Sequence, residues 1–402
     1  MKMEKNQIIW IVVVLIAAAI AGCLIYFDWK LSVSTMGDFM VTESGAADWE
    51  MVKYTKNMDI WFMLFMVAFL MMFIKKFEWG VALGVILSTV GSFVGYLFMQ
   101  QFVMPGLTGD AFVGWSQDVM LGAVICSITI VIGIGVFLGL CKMWQYLLVG
   151  LMFAPAYVLI EWFLGSSFFG LAAIDEGGSM LVHMVAAYFG IGVAMALRDK
   201  RSFEEPMYST THSVTFVWLG SLLLWMLWPS FVTAFLPADQ STWGLITCYM
   251  AGIGSMLSAY FVCIIVKKKV DPLVYAYALL AGPVAIGSPL ILLGPWGAMF
   301  LGILAGILTT LCFFYLQPVL GKKIGNLDMM GVHNLHGMSG WLGALSVCVI
   351  TLSIDNAFYA VMTAILAVAT GVITGLVVRY TRGDMPVIAD DETDFFKNEA
   401  PQ

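Results

Sequence analysis

Charge is what this sequence lacks most. Of its 402 residues only 11% are Asp, Glu, Lys or Arg, against 61% hydrophobic, and the mean hydropathy is +0.93. Water-soluble domains carry about a quarter charged residues, so the composition argues for an all-α polytopic membrane protein. No basic patch is present, which argues against nucleic acid as a partner. The seven cysteines form no CxxC pair and lie mostly in apolar runs, so they read as small core residues rather than a disulfide or zinc framework. Histidine is scarcer still, at four residues. Two of the four, His333 and His336, nevertheless share "GVHNLHGMSG" (Gly331–Gly340), a decapeptide without an acid.

About twenty apolar residues cross a hydrocarbon core of roughly 30 Å. Twelve runs qualify, at 8–27, 58–74, 79–100, 117–141, 143–165, 179–197, 212–235, 243–266, 272–293, 295–317, 333–353 and 357–380. With the N-terminus inside, all but three of the 19 Lys and Arg fall in inner segments. The three exceptions, Lys30, Lys53 and Lys56, occupy one long outer loop, 28–57, and the short outer loops hold none. That alternation is the positive-inside pattern, with both termini cytoplasmic in a plasma or inner membrane. Lys2 and Lys5 before an apolar run ending "IAGC" (Ile20–Cys23) also fit a cleaved signal; continuation of the run to Tyr26 favours a retained helix. The acidic tail, 381–402, reads as a mobile segment or a contact for a cytoplasmic regulator.

The sixth run opens with "DEGGSMLVHMVAAYFG" (Asp175–Gly190), the eleventh with "DMMGVHNLHGMSG" (Asp328–Gly340). In each an Asp precedes a His by eight residues, Asp175 before His183 and Asp328 before His336, with glycine between. The two runs lie five spans apart and so cross the membrane in opposite directions. This is the pattern of an inverted repeat whose shared site lies near the midplane on broken helices. From His183 to the inner end near Leu197 is ~21 Å, and from His336 to the outer end near Ser353 is ~26 Å, at 1.5 Å per residue. Both histidines therefore reach about the same depth. Each Asp precedes its helix, where a carboxylate can accept orphan N–H groups and is favoured by the helix dipole.

A histidine at mid-membrane by default marks a pathway or ligand site. His333, three residues before His336, shares roughly the same face and either extends the site or bonds a carbonyl; Asn334 lies between them. His212 follows a charged inner loop and reads as interfacial. Three chemistries suit paired imidazoles. A metal site finds no acid or cysteine within the decapeptide. Bis-histidine haem ligation needs room between two axial ligands, and nothing else suggests a cofactor. A narrow pore remains, in which neutral imidazoles offer a small solute a donor and an acceptor while apolar walls exclude ions. Only the pore explains the scarcity of charge along every span. Glu161 and Asp118, both towards the outer side, would form an acidic vestibule that attracts ammonium before neutral ammonia crosses.

These motifs resemble those of the Rhesus branch of the ammonium transporter family. "GVHNLHGMSG" is similar to its GVHNLHGMPG, departing at Ser339, and "DEGGSMLVHMVAAYFG" to its D-x-G-x-S-M-x-x-H-x-x-x-A-Y-F-G. "LWMLWPSF" (Leu224–Phe231) resembles LWxxWPSFNSA, and "FLMMFIKKF" (Phe69–Phe77) resembles FLMTFLKRYGF. The resemblance implies an ammonium transporter-like fold, with an 11-helix inverted-repeat core at 58–380 behind an N-terminal helix and outer loop, 1–57. It implies homotrimers with one pore per subunit, conducting ammonia or ammonium, with carbon dioxide as a further solute. By motif, His183 and His336 become the pore's twin histidines and Asp175 a buried acid supporting its mouth. Phe231 becomes an aromatic gate with Trp228 packed nearby, and Glu161 a vestibule acid. Two departures stand out: Val119 occupies the place of a second gating Phe, and Val232 that of an Asn. The alternatives are an ammonium sensor that signals through its tail, and a haem or metal membrane protein.

Overall fold

The computed structural model describes residues 44–109, 113–204 and 209–396, so the run at 8–27 lies outside the described residues. Among the described residues the chain is helical and has no strand, only an isolated bridge between Phe168 and Leu171. In chain order the helices begin with α1 (Ser44–Met71), α2 (Lys75–Thr108), α3 (Gln117–Ile134), α4 (Met143–Gly165) and α5 (Ser179–Leu197). Next come α6 (Thr211–Val232), α7 (Ala238–Lys267), α8 (Pro272–Ala285) and α9 (Pro295–Ile324). A π-wound turn, His333–Gly337, runs into Met338–Thr351 to make α10, and α11 (Asp355–Arg382) and the short α12 (Asp391–Asp394) follow. Eight of these, α2 to α7 with α9 and α11, are long and apolar enough to cross a membrane. The chain is a multi-pass membrane protein.

Three elements differ from the hydropathy reading, each for a physical reason. Helix α1 starts at Ser44, so Lys53 and Lys56 lie on helix rather than in a loop. No Gly or Pro interrupts 46–79, and a polar helix extension is invisible to hydropathy. The run 117–141 stops being helical at Ile134, where Gly133, Gly135 and Gly139 (φ 76°) let the backbone turn. The run 272–293 is two short helical pieces, Pro272–Ala278 and Ala281–Ala285, and then turns. The interior is apolar there whether or not the backbone is regular.

The tail differs as well. Residues 384–396 dock on the face that carries most of the lysines and arginines, in a tail whose sequence reads as a mobile segment or a contact for a regulator. Ile388 is buried and donates its N–H to the Gly139 carbonyl (3.0 Å). The Asp391 carboxylate accepts the N–H groups of Trp79 (2.9 Å) and Gly80 (3.2 Å), where α2 passes from a 3-10 turn (Lys75–Phe77) into α-helix at Glu78, and Phe396 lies 6.0 Å from the Trp79 ring. Apolar residues at 387, 388 and 396 and a carboxylate over a helix start make the segment adhesive.

The same contacts recur in the two halves. Helices α2 and α4 approach closely enough that a Cβ on Gly150 would strike the Ser88 carbonyl; α7 and α9 approach so closely that one on Gly302 would strike that of Ala251. The unwound end of α3 accepts backbone N–H groups from the segment leading into α10: Met330 to Gly135 (3.1 Å) and Met329 to Val136 (3.2 Å). The unwound end of α8 does the same for α5, with Gly177 bonded to Gly287 (2.7 Å). Broken helices thus supply each other's missing hydrogen bonds, as irregular backbone in a membrane must.

Candidate functional site

Helices α5 and α10 cross on small residues. Cβ atoms built on Gly337, Gly340 and Gly343 would meet Ala187, Met184 and Ser179 in turn, so the two helices run antiparallel. Each begins in a π-wound turn, Ser179–Met184 and His333–Gly337, and each of those turns holds one histidine of the pair. Such turns occur frequently at functional sites.

A carboxylate holds each turn in place. Asp175 accepts the N–H groups of Met180 (3.0 Å) and Leu181 (2.8 Å) and the Ser288 hydroxyl (2.6 Å). Asp328 accepts those of Val332 (3.0 Å) and His333 (2.9 Å). Without them, buried donors would lack partners at about 1–3 kcal/mol each. Both acids are caps, as their place before the helices suggested.

The crossing brings His183 Nδ1 to 3.1 Å from His336 Nδ1, with ring centroids 5.1 Å apart and planes inclined by 26°. The pair as placed is within hydrogen-bond distance. Among the described residues no group of three or more His, Cys, Asp and Glu could hold a metal. His183 is braced by Trp228 (5.6 Å, near-parallel) and Phe231 (5.9 Å).

Both histidines line a cavity of about 30 Å³, closed by Met63, Val67, Ile132 and Leu224 besides the two aromatics. That is room for one or two water-sized molecules. A second cavity of about 30 Å³ continues from His336 past Leu70, Met71 and Met330 towards the basic face. A larger cavity, about 480 Å³, on the side that the charge pattern predicts to be the outer one, is lined by Glu161, Asp118, Val119 and Phe235. Here Glu161 accepts from the Tyr96 hydroxyl (3.1 Å) and the Gln100 amide (2.8 Å).

Several expected members stand elsewhere. His333 turns away from the tract, Nε2 lying 3.3 Å from the Tyr188 hydroxyl, which accepts from Trp341 (2.6 Å). The i→i+5 winding rotates it off the face that three-residue spacing gives in an α-helix. Asn334 is fully buried and does not line the tract either; its backbone is bonded, the N–H to the Gly331 carbonyl (3.0 Å) and the carbonyl to the Thr309 hydroxyl (3.2 Å), while its side-chain amide has no partner among the described residues. Val119 lines the outer cavity and not the histidine tract, so the position of the missing Phe lies one chamber out from Phe231. Asp118 is bonded to Lys53 (2.8 Å), so Glu161 is the vestibule's carboxylate without a basic partner bonded to it in the described contacts. His212 is exposed at the start of α6, edge-on to Phe216. Unforeseen members are Ser288, Tyr96, Gln100 and Phe235. Of these only Phe235 left a signal, standing one helical turn after Phe231.

With this geometry in hand, the relatives are informative. Residues 28–392 match the Ammonium Transporter Family. Ammonium transporter Rh type A of Canis lupus familiaris is 31% identical over 332 residues, covering 80% of this chain and 78% of that protein. The solved structure of Nitrosomonas europaea Rh50, described with the mechanism of conduction by the Rhesus protein family of channels, superimposes with a TM-score of 0.82 at 32% identity, over 88% of this chain and 93% of that one. A sensor Amt protein shares the fold at a TM-score of 0.68 and 19% identity, over 82% and 92% of the two chains. Broken antiparallel helices, a buried histidine pair and these relatives lead to one assignment: the chain belongs to the Ammonium Transporter Family, a family of transporters rather than enzymes, and within it to the Rhesus branch.

Proposed function

We propose that the chain passes ammonia through the histidine tract as a neutral molecule, one subunit forming one pore. The observation that carries this reading is the 3.1 Å contact between His183 and His336 in an apolar cavity of about 30 Å³. Ammonium collects in the outer cavity at Glu161, whose carboxylate is oriented by Tyr96 and Gln100. Stripping a cation of its water in an apolar constriction is costly, and giving up a proton to the solvent of the outer cavity first avoids that cost. Ammonia then passes Phe231 and Trp228 and meets the imidazoles, one nitrogen of which donates while another accepts. Below His336 the walls are apolar again to the basic face.

The same proposal includes twelve membrane crossings, counting the run at 8–27, with both termini cytoplasmic, and a homotrimer as the working unit. Stopped-flow measurements on reconstituted vesicles, with ammonia and with carbon dioxide as solutes, test it. Ammonia entry well above that of empty vesicles is expected, and it should be lost when both histidines are replaced by alanine. Faster carbon dioxide entry alone would assign the pore to that gas. Ammonium binding with no flux would make the protein a sensor and sink the channel reading.

A further inference from the structure

Helix α1 carries one polar stripe whose purpose the pore does not explain. Met63, Val67 and Leu70 face the histidine tract. Lys56 precedes Met63 by seven residues and Leu70 follows it by seven, so Lys56 lies on the pore-facing side of α1, about 10 Å outward of Met63. Its side chain is not in solvent. It is 7% exposed, and Nζ donates to the Thr233 carbonyl (2.6 Å) and the Ser241 hydroxyl (3.1 Å). Thr233 stands midway between Phe231, which closes the histidine tract, and Phe235, which lines the outer cavity. The neighbouring charges are engaged: Lys53 with Asp118 (2.8 Å), and Asp59 with the Ser230 hydroxyl (2.6 Å).

Resting on the neutral-ammonia reading above, we propose that Lys56 is a specificity-determining residue, a tethered ammonium at the divide between outer cavity and tract that repels cations from it. A backbone carbonyl and a hydroxyl are what a free ammonium ion would seek at that point; Lys56 occupies both. A fixed charge at a pore mouth is an established means of excluding ions of its own sign. It also accounts for a pore that has Val119 where a second aromatic was expected: charge rejects what the wider outer chamber admits.

The test is solid-supported-membrane recording on the full-length channel in vesicles, alongside stopped-flow ammonia entry, for wild type, Lys56→Gln, Lys56→Met and Lys56→Arg. Wild type and Lys56→Arg should show little ammonium-dependent current. Both neutral variants should show a current increased about tenfold, the effect of a unit charge at about 10 Å with an effective dielectric near 20. Ammonia entry should change little throughout. A merely structural strap would lower entry and leave the current flat in Lys56→Met, and that result overturns the proposal, as does failure of both neutral variants to assemble. An equal current in wild type overturns it too. Absence of ammonia entry in wild type would instead fail the channel reading beneath it.

Discussion

The two histidines meet, yet the segments that deliver them are built differently. The lead-in to His183 hangs from the start of α11 and, through Asp175 and Gly177, from the unwound end of α8. Asp355 and Asn356 accept the N–H groups of Ala172 (3.1 Å) and Ile174 (2.8 Å), Asn356 donates to the Ile174 carbonyl (2.7 Å), and the Tyr359 hydroxyl donates to that of Leu171 (3.0 Å). The lead-in to His336 is tied to three separate elements. Met329 and Met330 bond the end of α3, Leu327 bonds the Ser202 hydroxyl (3.0 Å), and Gln317 of α9 bonds the Asp328 carbonyl (2.7 Å). At the meeting point the contrast continues. His183 is packed against Trp228 and Phe231 and touches one cavity, whereas His336 lines both cavities along the tract. An inverted repeat has therefore produced unequal halves: a braced wall and a shared surface.

The largest expected effect follows from that inequality. His336→Ala should remove the polar surface common to both chambers, and ammonia entry should fall at least tenfold, about 1.4 kcal/mol in barrier. His183→Ala leaves Trp228 and Phe231 able to relax into the gap, so its loss should be smaller. Stopped-flow entry rates for the two variants decide the order, and the reverse order would break the comparison.

Next come the caps. Asp175→Ala strands two backbone N–H groups and the Ser288 hydroxyl, while Asp328→Ala strands two backbone N–H groups. At about 1–3 kcal/mol per unsatisfied buried group, Asp175→Ala should be the more destabilising by roughly that amount. Thermal inactivation of the detergent-solubilised protein measures it, and the Asn variants, which keep one acceptor oxygen, should fall between. Equal loss would mean that Ser288 finds another partner.

How far such features were visible beforehand differs by type. The Asp-to-His spacing of eight, repeated in oppositely directed runs, points to the caps, the antiparallel crossing and the meeting of His183 with His336. Those depend only on periodicity and on helix ends lacking donors. His333, which the three-residue spacing allows either to extend the site or to bond a carbonyl, meets the Tyr188 hydroxyl instead, since nothing in "HNLH" announces π winding, which depends on how Asp328 and Thr309 grip the turn. The inward end of α3 and all of α8 looked like full spans, since hydropathy reports an apolar surrounding and not a backbone state. Lys56 was the least legible of all. It looked like a loop lysine because its partners, Thr233 and Ser241, lie far away in the chain and only the fold brings them near.

The smallest effect concerns what anchors the second lead-in on the basic face. Asp199 binds the Arg201 guanidinium through both oxygens (2.8 and 2.6 Å) and Arg382 (3.1 Å), and it sits three residues before Ser202, which holds Leu327. Hydrogen bonds from Arg201, aided by the charge of Arg382, keep the Asp199 carboxyl below the usual carboxylate range. A depressed folded-state value means that the stabilisation is present above the ordinary aspartate value near about 3.9 and is lost as pH falls through the lower one. Asp199→Asn should therefore cost on the order of 1 kcal/mol at neutral pH, the scale of a partly solvated ion pair. The difference from wild type should shrink below about pH 4, where the unfolded chain begins to take up the proton, and vanish below the lower folded-state value, where the native carboxyl is neutral too. Because Ser202 connects this pair to the lead-in of His336 and not to that of His183, protease sensitivity should rise in 325–332 and stay unchanged in 166–178. Equal loosening of both segments would show that the basic face braces the whole repeat and that the inequality of its halves ends at the histidines.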